Sequence, residues 1–276
     1  ANWFAPEGVE PRYEYSFGRQ NWFEYSAKEH RAVREAVGLF DQTSFAKFLL
    51  KGPDAEGVLQ RLCANDVEVP PGGVVYTAML NERGGIEADL TVTRTSENAY
   101  LIVTGGATGP RDFHWIESHT SDAERAVLID VTSAYAVLGV MGPGSRELIA
   151  GLTDSDISNE AFPYMTSREI TLGSAVVRAT RITYVGELGW ELYIPTEFAT
   201  HVYDAIVAAS DGIGLRHAGF HAMDSLRIEK AYRAWGTDIV DQDTPLEAGL
   251  GFAVAFDKGP DFLGREALLR QGEQEL

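Results

Sequence analysis

Apolar and polar residues alternate along several short stretches of the chain, which predicts β-strands separated by helices. The clearest stretch runs from Ile86 to Arg94, where Ala88, Leu90 and Val92 alternate with polar residues at the strand period of two. An apolar run at Val74–Leu80 precedes it along the chain. Because only a short polar break separates the two runs, we expect them to pair as a hairpin.

The predicted hairpin has two features that bear on function. Gly84 and Gly85 lie in its connection, where adjacent glycines can adopt the positive φ of a tight turn without a steric penalty. Asp89 lies within the second strand, although carboxylates are depleted in strand interiors. Two interpretations stay open. Either Asp89 lies on a solvated face that it shares with Glu87 and Thr91, or it is a catalytic carboxylate held on a rigid strand.

The order of strands and helices repeats along the chain with an offset of about 90 residues. Gly52 and Pro53 in the first copy match Gly142 and Pro143 in the second, and each pair precedes a predicted helix. The predicted strands are Phe45–Leu50, Val74–Leu80, Ile86–Arg94, Ala99–Thr104 and Ala126–Val131 in the first copy, and Ala136–Met141, Ser167–Leu172, Ala175–Tyr184 and Trp190–Pro195 in the second. This repeat predicts an α+β fold of two similar halves related by a pseudo-twofold axis, with a ligand bound where the halves meet.

Four regions are expected from these patterns. They are residues 1–44 (an aromatic-rich lead-in and first helix), 45–133 (the first α+β half), 134–250 (the second half, with a long helix) and 251–276 (the start of a C-terminal extension). A capping box at Ser26–Glu29 is predicted to begin the first helix, and Gly38 to end it. The long helix is expected at Ala222–Trp235, and another strand at Gly251–Phe256.

The composition indicates a globular chain with an acidic surface. Of its 276 residues, 45% are hydrophobic, and no apolar run approaches the roughly 18 residues that cross a bilayer. The net charge of −18 argues against nucleic acid and anionic membranes as partners, because an acidic chain repels polyanions. The single cysteine, Cys63, excludes an intramolecular disulfide framework. We expect a soluble protein of a bacterial or archaeal cytoplasm rather than of the mitochondrial matrix.

A second candidate site lies in the segment Ile182–Pro195. Gly186 and Gly189 mark a turn there, with Tyr184 just before it and Glu191 just after it. A glutamate can accept two parallel N–H bonds from an aminopyrimidinone edge, and a tyrosine can pack against a flat heterocycle. From the residues alone, a solvated glutamate in a strand is the favoured interpretation for Glu191.

His217 and His221 are four residues apart, a spacing that can bind a metal ion on a helix. No third ligand accompanies them in the sequence, and Gly219 lies between them. We therefore expect no metal site.

Several motifs, in order along the chain, resemble those of one family. They are GLFDQTSFAKF, MLNERGGIEADLTV, ITYVGELGWELY, AMDSLRIEKAYRAWG, TPLEAGL and FLGREAL, which extend from Gly38 to Leu268. These motifs resemble the folate-binding aminomethyltransferase family of the glycine-cleavage T-protein. The aromatic lead-in and the EKAYRAWG segment are similar to the C-terminal half of dimethylglycine dehydrogenase or oxidase and of sarcosine dehydrogenase. The resemblance implies the T-protein-like fold, with its C-terminal barrel largely absent.

The resemblance also implies roles for three residues. Asp89 matches the catalytic carboxylate beside the folate nitrogens, and Tyr184 and Glu191 match residues that line the pteridine pocket. Tetrahydrofolate is then the expected cofactor, and FAD is expected on an absent domain or a partner chain that oxidises an N-methylamine. The implied function is capture of the methylene group of the resulting iminium ion as 5,10-methylenetetrahydrofolate.

Three alternatives remain open. The first is a flavin-independent folate-dependent demethylase or aminomethyltransferase, the second is a non-catalytic regulatory relative, and the third is a plain structural domain. Two departures from the glycine-cleavage enzymes argue against transfer from a lipoyl-bound aminomethyl group. Met223 stands where those enzymes carry an arginine, and Gly105 and Gly106 replace their asparagine.

Overall fold

A computed structural model describes residues 1–274 of the chain and shows two compact units, each with its own β-sheet. The first unit contains residues 1–43, 134–164 and 168–232. The second contains residues 44–133 and 165–167 and the segment that begins at Arg233. Each unit is therefore assembled from segments that are separate in the sequence.

The strands and helices alternate along the chain. In chain order the strands are β1 (Val37–Asp41), β2 (Ala46–Lys51), β3 (Val74–Leu80), β4 (Ile86–Ser96), β5 (Ala99–Thr104), β6 (Val127–Asp130), β7 (Tyr135–Met141), β8 (Ser167–Leu172), β9 (Ala175–Thr180), β10 (Gly189–Pro195) and β11 (Leu215–His217). The α-helices are α1 (Phe23–Glu35), α2 (Ala55–Leu62), α3 (Gly109–Ser118), α4 (Ser145–Ala150), α5 (Ala199–Ala208), α6 (Phe220–Glu229) and α7 (Arg265–Gln274). Short 3-10 helices lie at Thr132–Ala134, Thr196–Phe198 and Gly251–Ala253.

The two sheets share one strand order. The sheet of the first unit has the order β11-β1-β7-β10-β9-β8, and the sheet of the second, read from the opposite edge, has the order β6-β2-β5-β4-β3. The orders correspond strand by strand except for β1, which is inserted between β11 and β7. Gly52 and Gly142 also have nearly the same φ, +141° and +138°. The predicted repeat of two similar α+β halves is therefore confirmed.

The period of two within the strands decides which residues form the cores. In β10, Trp190, Leu192 and Ile194 point into a core that α4 and α5 also supply, whereas Glu191 and Tyr193 point to the opposite face. Burial of each large apolar side chain in such a core contributes about 1.5–3 kcal/mol.

The sheet of the second unit is covered on both faces. On one face, Ala88, Leu90 and Val92 of β4 pack against α2 and α3. On the other face, a separate cluster contains Ala78, which pairs with Asp89, and Ile239, which belongs to the segment after Arg233. The polar face of β4 is therefore not simply a solvent-facing surface.

The predicted hairpin is confirmed. β3 and β4 pair antiparallel, and Gly84 in their connection has a φ of +84°. Gly85 is needed for a different reason, because a Cβ atom there would lie 2.0 Å from the backbone oxygen of Asp241. Asn81 closes the turn by accepting hydrogen bonds from Arg83 and Gly85.

The capping box at Ser26–Glu29 was a wrong prediction. α1 begins three residues earlier, at Phe23, and the Ser26 hydroxyl donates to the backbone oxygens of Trp22 and Phe23. Glu29 is buried and accepts hydrogen bonds from the backbone N–H groups of Phe4 and Gly219. Gly38 lies inside β1, a strand that the pattern did not predict because it is apolar on both faces.

Three other predictions were also wrong, two about where an element ends and one about its type. β9 ends at Thr180, and residues 181–188 form an irregular turn. α6 ends at Glu229, six residues before Trp235, and Ala231 has a φ of +55° just beyond that end. The run after Gly251 is a 3-10 helix and not a strand.

Candidate functional site

Asp89 lies in the middle of β4, opposite Ala78 of β3. Its side chain is on the face away from the core of Leu90 and Val92, and it is partly buried. Tyr76 pairs with Thr91 in the same ladder, which places the tyrosine diagonally across from Asp89 on the same face. The Tyr76 hydroxyl group is therefore positioned to donate a hydrogen bond to the Asp89 carboxylate.

The surroundings of Asp89 raise its pKa above that of a free aspartate. Burial raises the pKa of Asp89 to about 6, the hydrogen bond from Tyr76 lowers it, and the negative charge of Asp112 raises it. At pH 7 a group with this pKa is about nine-tenths ionised. Asp89 can therefore both accept and release a proton near neutral pH, which an ordinary surface aspartate does poorly.

Asp112 is a second buried carboxylate near this strand. One of its oxygens accepts hydrogen bonds from the hydroxyl groups of Thr104 (2.6 Å) and Thr108 (2.8 Å). Burial raises the pKa of Asp112, and these two hydrogen bonds lower it. Its neighbour Arg111 forms an ion pair with Glu87 and packs 4.3 Å from the centre of the Trp235 ring. The arginine is thus already paired with Glu87.

Glu191 belongs to the first unit and is buried, with only 7% of its surface exposed. The Tyr193 hydroxyl donates to Glu191 Oε2 at 2.7 Å, and the two residues share a face of β10. Burial raises the pKa of Glu191, and the hydrogen bond from Tyr193 lowers it. The interpretation of Glu191 as a solvated glutamate was therefore wrong. The sequence of β10 shows which of its faces packs on the core, but it does not show that the face with Glu191 is covered as well.

Tyr184 lies in the irregular turn between β9 and β10 rather than at a strand end. Its ring packs against a buried cluster that includes Phe40 and Met141, and it stacks on Tyr232 with the ring centres 6.1 Å apart. Met141 pairs with Gly189 at the start of β10, two residues before Glu191. Tyr184 and Glu191 therefore belong to the same unit and the same side of its sheet, whereas Asp89 belongs to the second unit.

The turn that holds Tyr184 also borders a groove of about 250 Å³. Its polar lining includes Tyr164, Arg181, Thr183 and Glu187. Glu187 forms an ion pair with Arg34 at 2.8 Å, so its carboxylate is already engaged by a cation. Glu191 is not among the residues that line this groove.

Each of the two histidines, His217 and His221, lies within hydrogen-bond distance of a tyrosine hydroxyl group. His217 Nε2 lies 2.9 Å from the Tyr203 hydroxyl, and His221 Nε2 lies 3.1 Å from that of Tyr13. Burial lowers the pKa of both histidines. Within residues 1–274, no group of three or more His, Cys, Asp or Glu residues could hold a metal ion.

Three further residues near these carboxylates were not singled out by the sequence patterns. Tyr76 and Tyr193 donate to the two candidate carboxylates, and Gln42 lies fully buried on the same sheet face as Glu191. A sequence signal existed for Tyr193, because a residue two positions from Glu191 shares its face. No sequence signal pointed to Gln42 or Tyr76, since their positions depend on the strand register.

The fold is that of an aminomethyltransferase-type domain. The structure matches the glycine cleavage system aminomethyltransferase T from Bartonella henselae with a TM-score of 0.80 and 25% identity, over 95% of this chain and 71% of that one. The chain belongs to the family described as the GCVT N-terminal domain, whose model matches residues 1–258.

Two curated relatives show how this domain occurs in longer proteins. The chain is 43% identical over 270 residues to 4-methylaminobutanoate oxidase (formaldehyde-forming) of Paenarthrobacter nicotinovorans, a match that covers 98% of this chain and 33% of that protein. It is 40% identical over 272 residues to the mitochondrial sarcosine dehydrogenase of Mus musculus, with 94% and 30% covered. The chain thus spans about a third of the length of these relatives. Among the described residues, no helix is both long and apolar enough to span a membrane.

Proposed function

We propose that this chain is a tetrahydrofolate-binding one-carbon transfer domain. It captures the methylene group of an iminium ion, formed by oxidation of an N-methylamine such as dimethylglycine or sarcosine, as 5,10-methylenetetrahydrofolate. The family membership supports the class of reaction, and the names of the two relatives support an N-methylamine as the source of carbon. The observation that carries the proposal is Asp89, a strand carboxylate with a pKa raised to about 6.

Proton balance explains why such a carboxylate is needed. The overall conversion removes two N–H protons from the folate, gives one to the departing amine and releases the other. Asp89 in its ionised form accepts a proton from a folate nitrogen, and its pKa near neutrality lets it pass that proton on. The same negative charge stabilises the cationic iminium before transfer.

Glu191 and Tyr184 are proposed to hold the pterin ring. The Tyr193 hydroxyl group occupies one oxygen of the Glu191 carboxylate, and a carboxylate can still accept from the N–H pair of an aminopyrimidinone edge. The buried position of Glu191 makes such bonds stronger than they would be in water. Tyr184 presents an aromatic ring on the same side of the sheet, next to Tyr232. These residues fit a flat, polar heterocycle.

The oxidation step is assigned to another part of the protein or to a partner chain. The two curated relatives are about three times as long as this chain, and their names describe an oxidase and a dehydrogenase. We propose that FAD on that additional part generates the iminium ion, and that this domain keeps the ion from hydrolysing to formaldehyde.

Titration calorimetry with tetrahydrofolate under anaerobic conditions tests the proposal. We expect saturable binding by the parent chain and binding within a few fold by Asp89→Asn, because the aspartate acts on the transfer step. Absence of binding at millimolar tetrahydrofolate would refute the proposed function.

Turnover by this chain alone tests the alternative of a flavin-independent, folate-dependent enzyme. If the chain mixed with an N-methylamine and tetrahydrofolate demethylates the amine without a flavin or an added oxidant, then it is a flavin-independent demethylase. If it binds folate but supports no transfer even when supplied with an iminium donor, the regulatory interpretation replaces ours.

A further inference from the structure

The carboxamide of Gln42 is buried in the first unit, and neither of its polar atoms has a hydrogen-bond partner within the described residues. Gln42 directly follows β1, and its backbone N–H continues the sheet by donating to Val137 at 2.9 Å. The side chain is fully buried, with 0% of its surface exposed. A buried amide without partners destabilises the folded state, so packing alone does not account for a glutamine here.

Gly139 provides the space that this carboxamide occupies. A Cβ atom at Gly139 would lie 2.4 Å from Gln42 Oε1 and 3.1 Å from Gln42 Cδ. Any side chain at position 139 would therefore displace the amide. The glycine and the glutamine act together, because the absence of one side chain lets the other lie flat over β7.

The same glycine is the direct neighbour of Glu191. Gly139 pairs with Phe40 of β1 on one side and with Glu191 of β10 on the other. Directly paired residues project from the same face of a sheet, with Cβ atoms about 5 Å apart. The Gln42 carboxamide lies where the Gly139 side chain would be, so it lies about one strand spacing from the Glu191 side chain.

Three other residues on this face, Phe40, Met141 and Tyr193, are apolar or already engaged. Phe40 and Met141 belong to a buried apolar cluster, and the Met141 methyl carbon lies 3.2 Å from the Cβ position of Gly139. Tyr193 donates its hydroxyl to Glu191. Among the described residues, this face therefore holds a buried carboxylate and, near it, a buried carboxamide without hydrogen-bond partners, against a largely apolar background. Polar recognition groups in small-molecule sites are arranged in a similar way.

We propose that Gln42 is a specificity-determining residue that, together with Glu191, binds the polar edges of a reduced 2-amino-4-oxopteridine. This inference rests on the proposed function and adds a residue and a redox preference to it. Glu191 accepts from the 2-amino group and the adjacent ring N–H. Gln42 Nε2 donates to the C4 carbonyl, and Gln42 Oε1 accepts from the N5–H group beside that carbonyl.

The carboxamide distinguishes oxidation states because of the order of its donor and acceptor. A tetrahydropterin presents an acceptor (the C4 carbonyl) next to a donor (N5–H), and a carboxamide presents the complementary pair. In an oxidised pterin, N5 carries no hydrogen, so Gln42 Oε1 faces a second acceptor. Gln42 thus selects the reduced ring.

Gln42→Met tests this role because it keeps the length of the side chain and removes both polar atoms. The ligands are 6-methyltetrahydropterin, which lacks the aminobenzoylglutamate part of folate, and its oxidised counterpart 6-methylpterin. We expect Gln42→Met to weaken binding of the tetrahydropterin about 10- to 100-fold in calorimetry, with a clearly smaller loss for the oxidised ring. The ligand-free variant should unfold at a temperature about 3 °C higher than the parent, because an unpartnered buried amide has been removed.

Gly139→Ala provides a second route to the same result. It keeps the Gln42 carboxamide but pushes it from its position, so tetrahydropterin affinity should again fall. Gln60→Met is the matched control, since Gln60 is also a buried glutamine but donates to Asp66 at 2.6 Å and accepts from Lys258 at 3.1 Å. It should lower stability and leave pterin affinity unchanged.

The outcomes separate this inference from the proposed function. If the parent binds tetrahydrofolate but Gln42→Met binds both pterins as tightly as the parent does, the role of Gln42 is refuted and the proposed function stands. A loss of stability in Gln42→Met with unchanged affinity would show a structural role and refute the inference as well. If the parent binds neither tetrahydropterin nor tetrahydrofolate, both proposals fail.

Discussion

The two candidate carboxylates, Asp89 and Glu191, both lie on strands and both have a raised pKa, but their surroundings differ. Asp89 is partly buried, accepts a hydrogen bond from Tyr76 and is repelled by the charge of Asp112. Its pKa of about 6 places its titration close to neutral pH.

Glu191 is buried more completely, accepts from Tyr193 and lies near the Gln42 amide, which has no hydrogen-bond partner among residues 1–274. A buried acceptor of this kind is best suited to hold a ligand that brings N–H donors, because the ligand then replaces the lost water. This difference supports the proposal that Asp89 moves a proton and that Glu191 binds the ligand.

The largest expected effect is at Asp89, where a substitution should lower the rate of transfer and leave tetrahydrofolate binding nearly unchanged. Asp89→Asn should reduce formation of 5,10-methylenetetrahydrofolate about 10²- to 10⁴-fold, because the amide cannot accept the proton. Tetrahydrofolate affinity should change by no more than a few fold. The measurement is the rate of transfer at saturating tetrahydrofolate in the complete enzyme during turnover of an N-methylamine. Glu87→Gln, which changes another carboxylate on the same strand face, serves as the control with near-parental transfer, and parental transfer by Asp89→Asn would remove Asp89 from the mechanism.

The converse pattern is expected at Glu191. Glu191→Gln should weaken tetrahydrofolate binding about 10- to 100-fold, because an amide nitrogen would face the N–H groups that the carboxylate accepts. Transfer at saturating folate should remain within a few fold of the parent. Calorimetry and the same transfer assay check this. If the variant loses transfer but keeps its affinity for tetrahydrofolate, the binding role proposed for Glu191 is refuted.

Stability should respond to Asp89 in a pH-dependent way. Its pKa is higher in the folded chain (about 6) than the usual value of 3.8, so folding is penalised once the unfolded carboxylate ionises. The penalty grows from about pH 4 to pH 6 and is complete above that. Asp89→Asn should therefore raise the free energy of unfolding by about 2–3 kcal/mol at pH 8, with no gain at pH 3.5. Urea denaturation at the two pH values measures the difference, and an equal gain at both would argue against a buried charge as its cause.

The smallest effects come from the neighbours that adjust Asp89. Tyr76→Phe removes the hydrogen bond that lowers the pKa of Asp89 and should raise that pKa, whereas Asp112→Asn removes a nearby negative charge and should lower it. Because Asp89 stays mostly ionised at pH 7, transfer at that pH should change less than about twofold. The acid limb of the pH–transfer profile should move in opposite directions in the two variants, and a shift in the same direction would show that these contacts do not set the pKa.

β3, β5 and the turn of the hairpin illustrate what local sequence can predict. β3 and β5 begin and end where the predicted strands do, and Gly84 between β3 and β4 has the expected positive φ. Such features depend on residues that are adjacent in the chain, so a single sequence contains them.

The predictions that were wrong concern segments whose structure is not set by neighbouring residues alone. Glu29 has the spacing of a capping box, but it is buried because the backbone of Phe4 and Gly219 supplies its hydrogen bonds. α6 ends before its apolar and charged pattern does, and the backbone turns at Ala231 instead. At Glu29, tertiary hydrogen bonds outweighed a local capping preference worth about 1 kcal/mol.

The sequence by itself determined the period of the strands, the 90-residue repeat and the acidic character of the chain, because these follow from residue order and composition. Only the tertiary structure decided how the polar residues are used. The register of β7 with β1 and β10 places Gly139 beside Glu191 and against the Gln42 carboxamide, and the pairing of β3 with β4 brings Tyr76 to Asp89. Register is a property of strands far apart in the chain, so no local pattern could reveal which carboxylate would be buried, and with which partner.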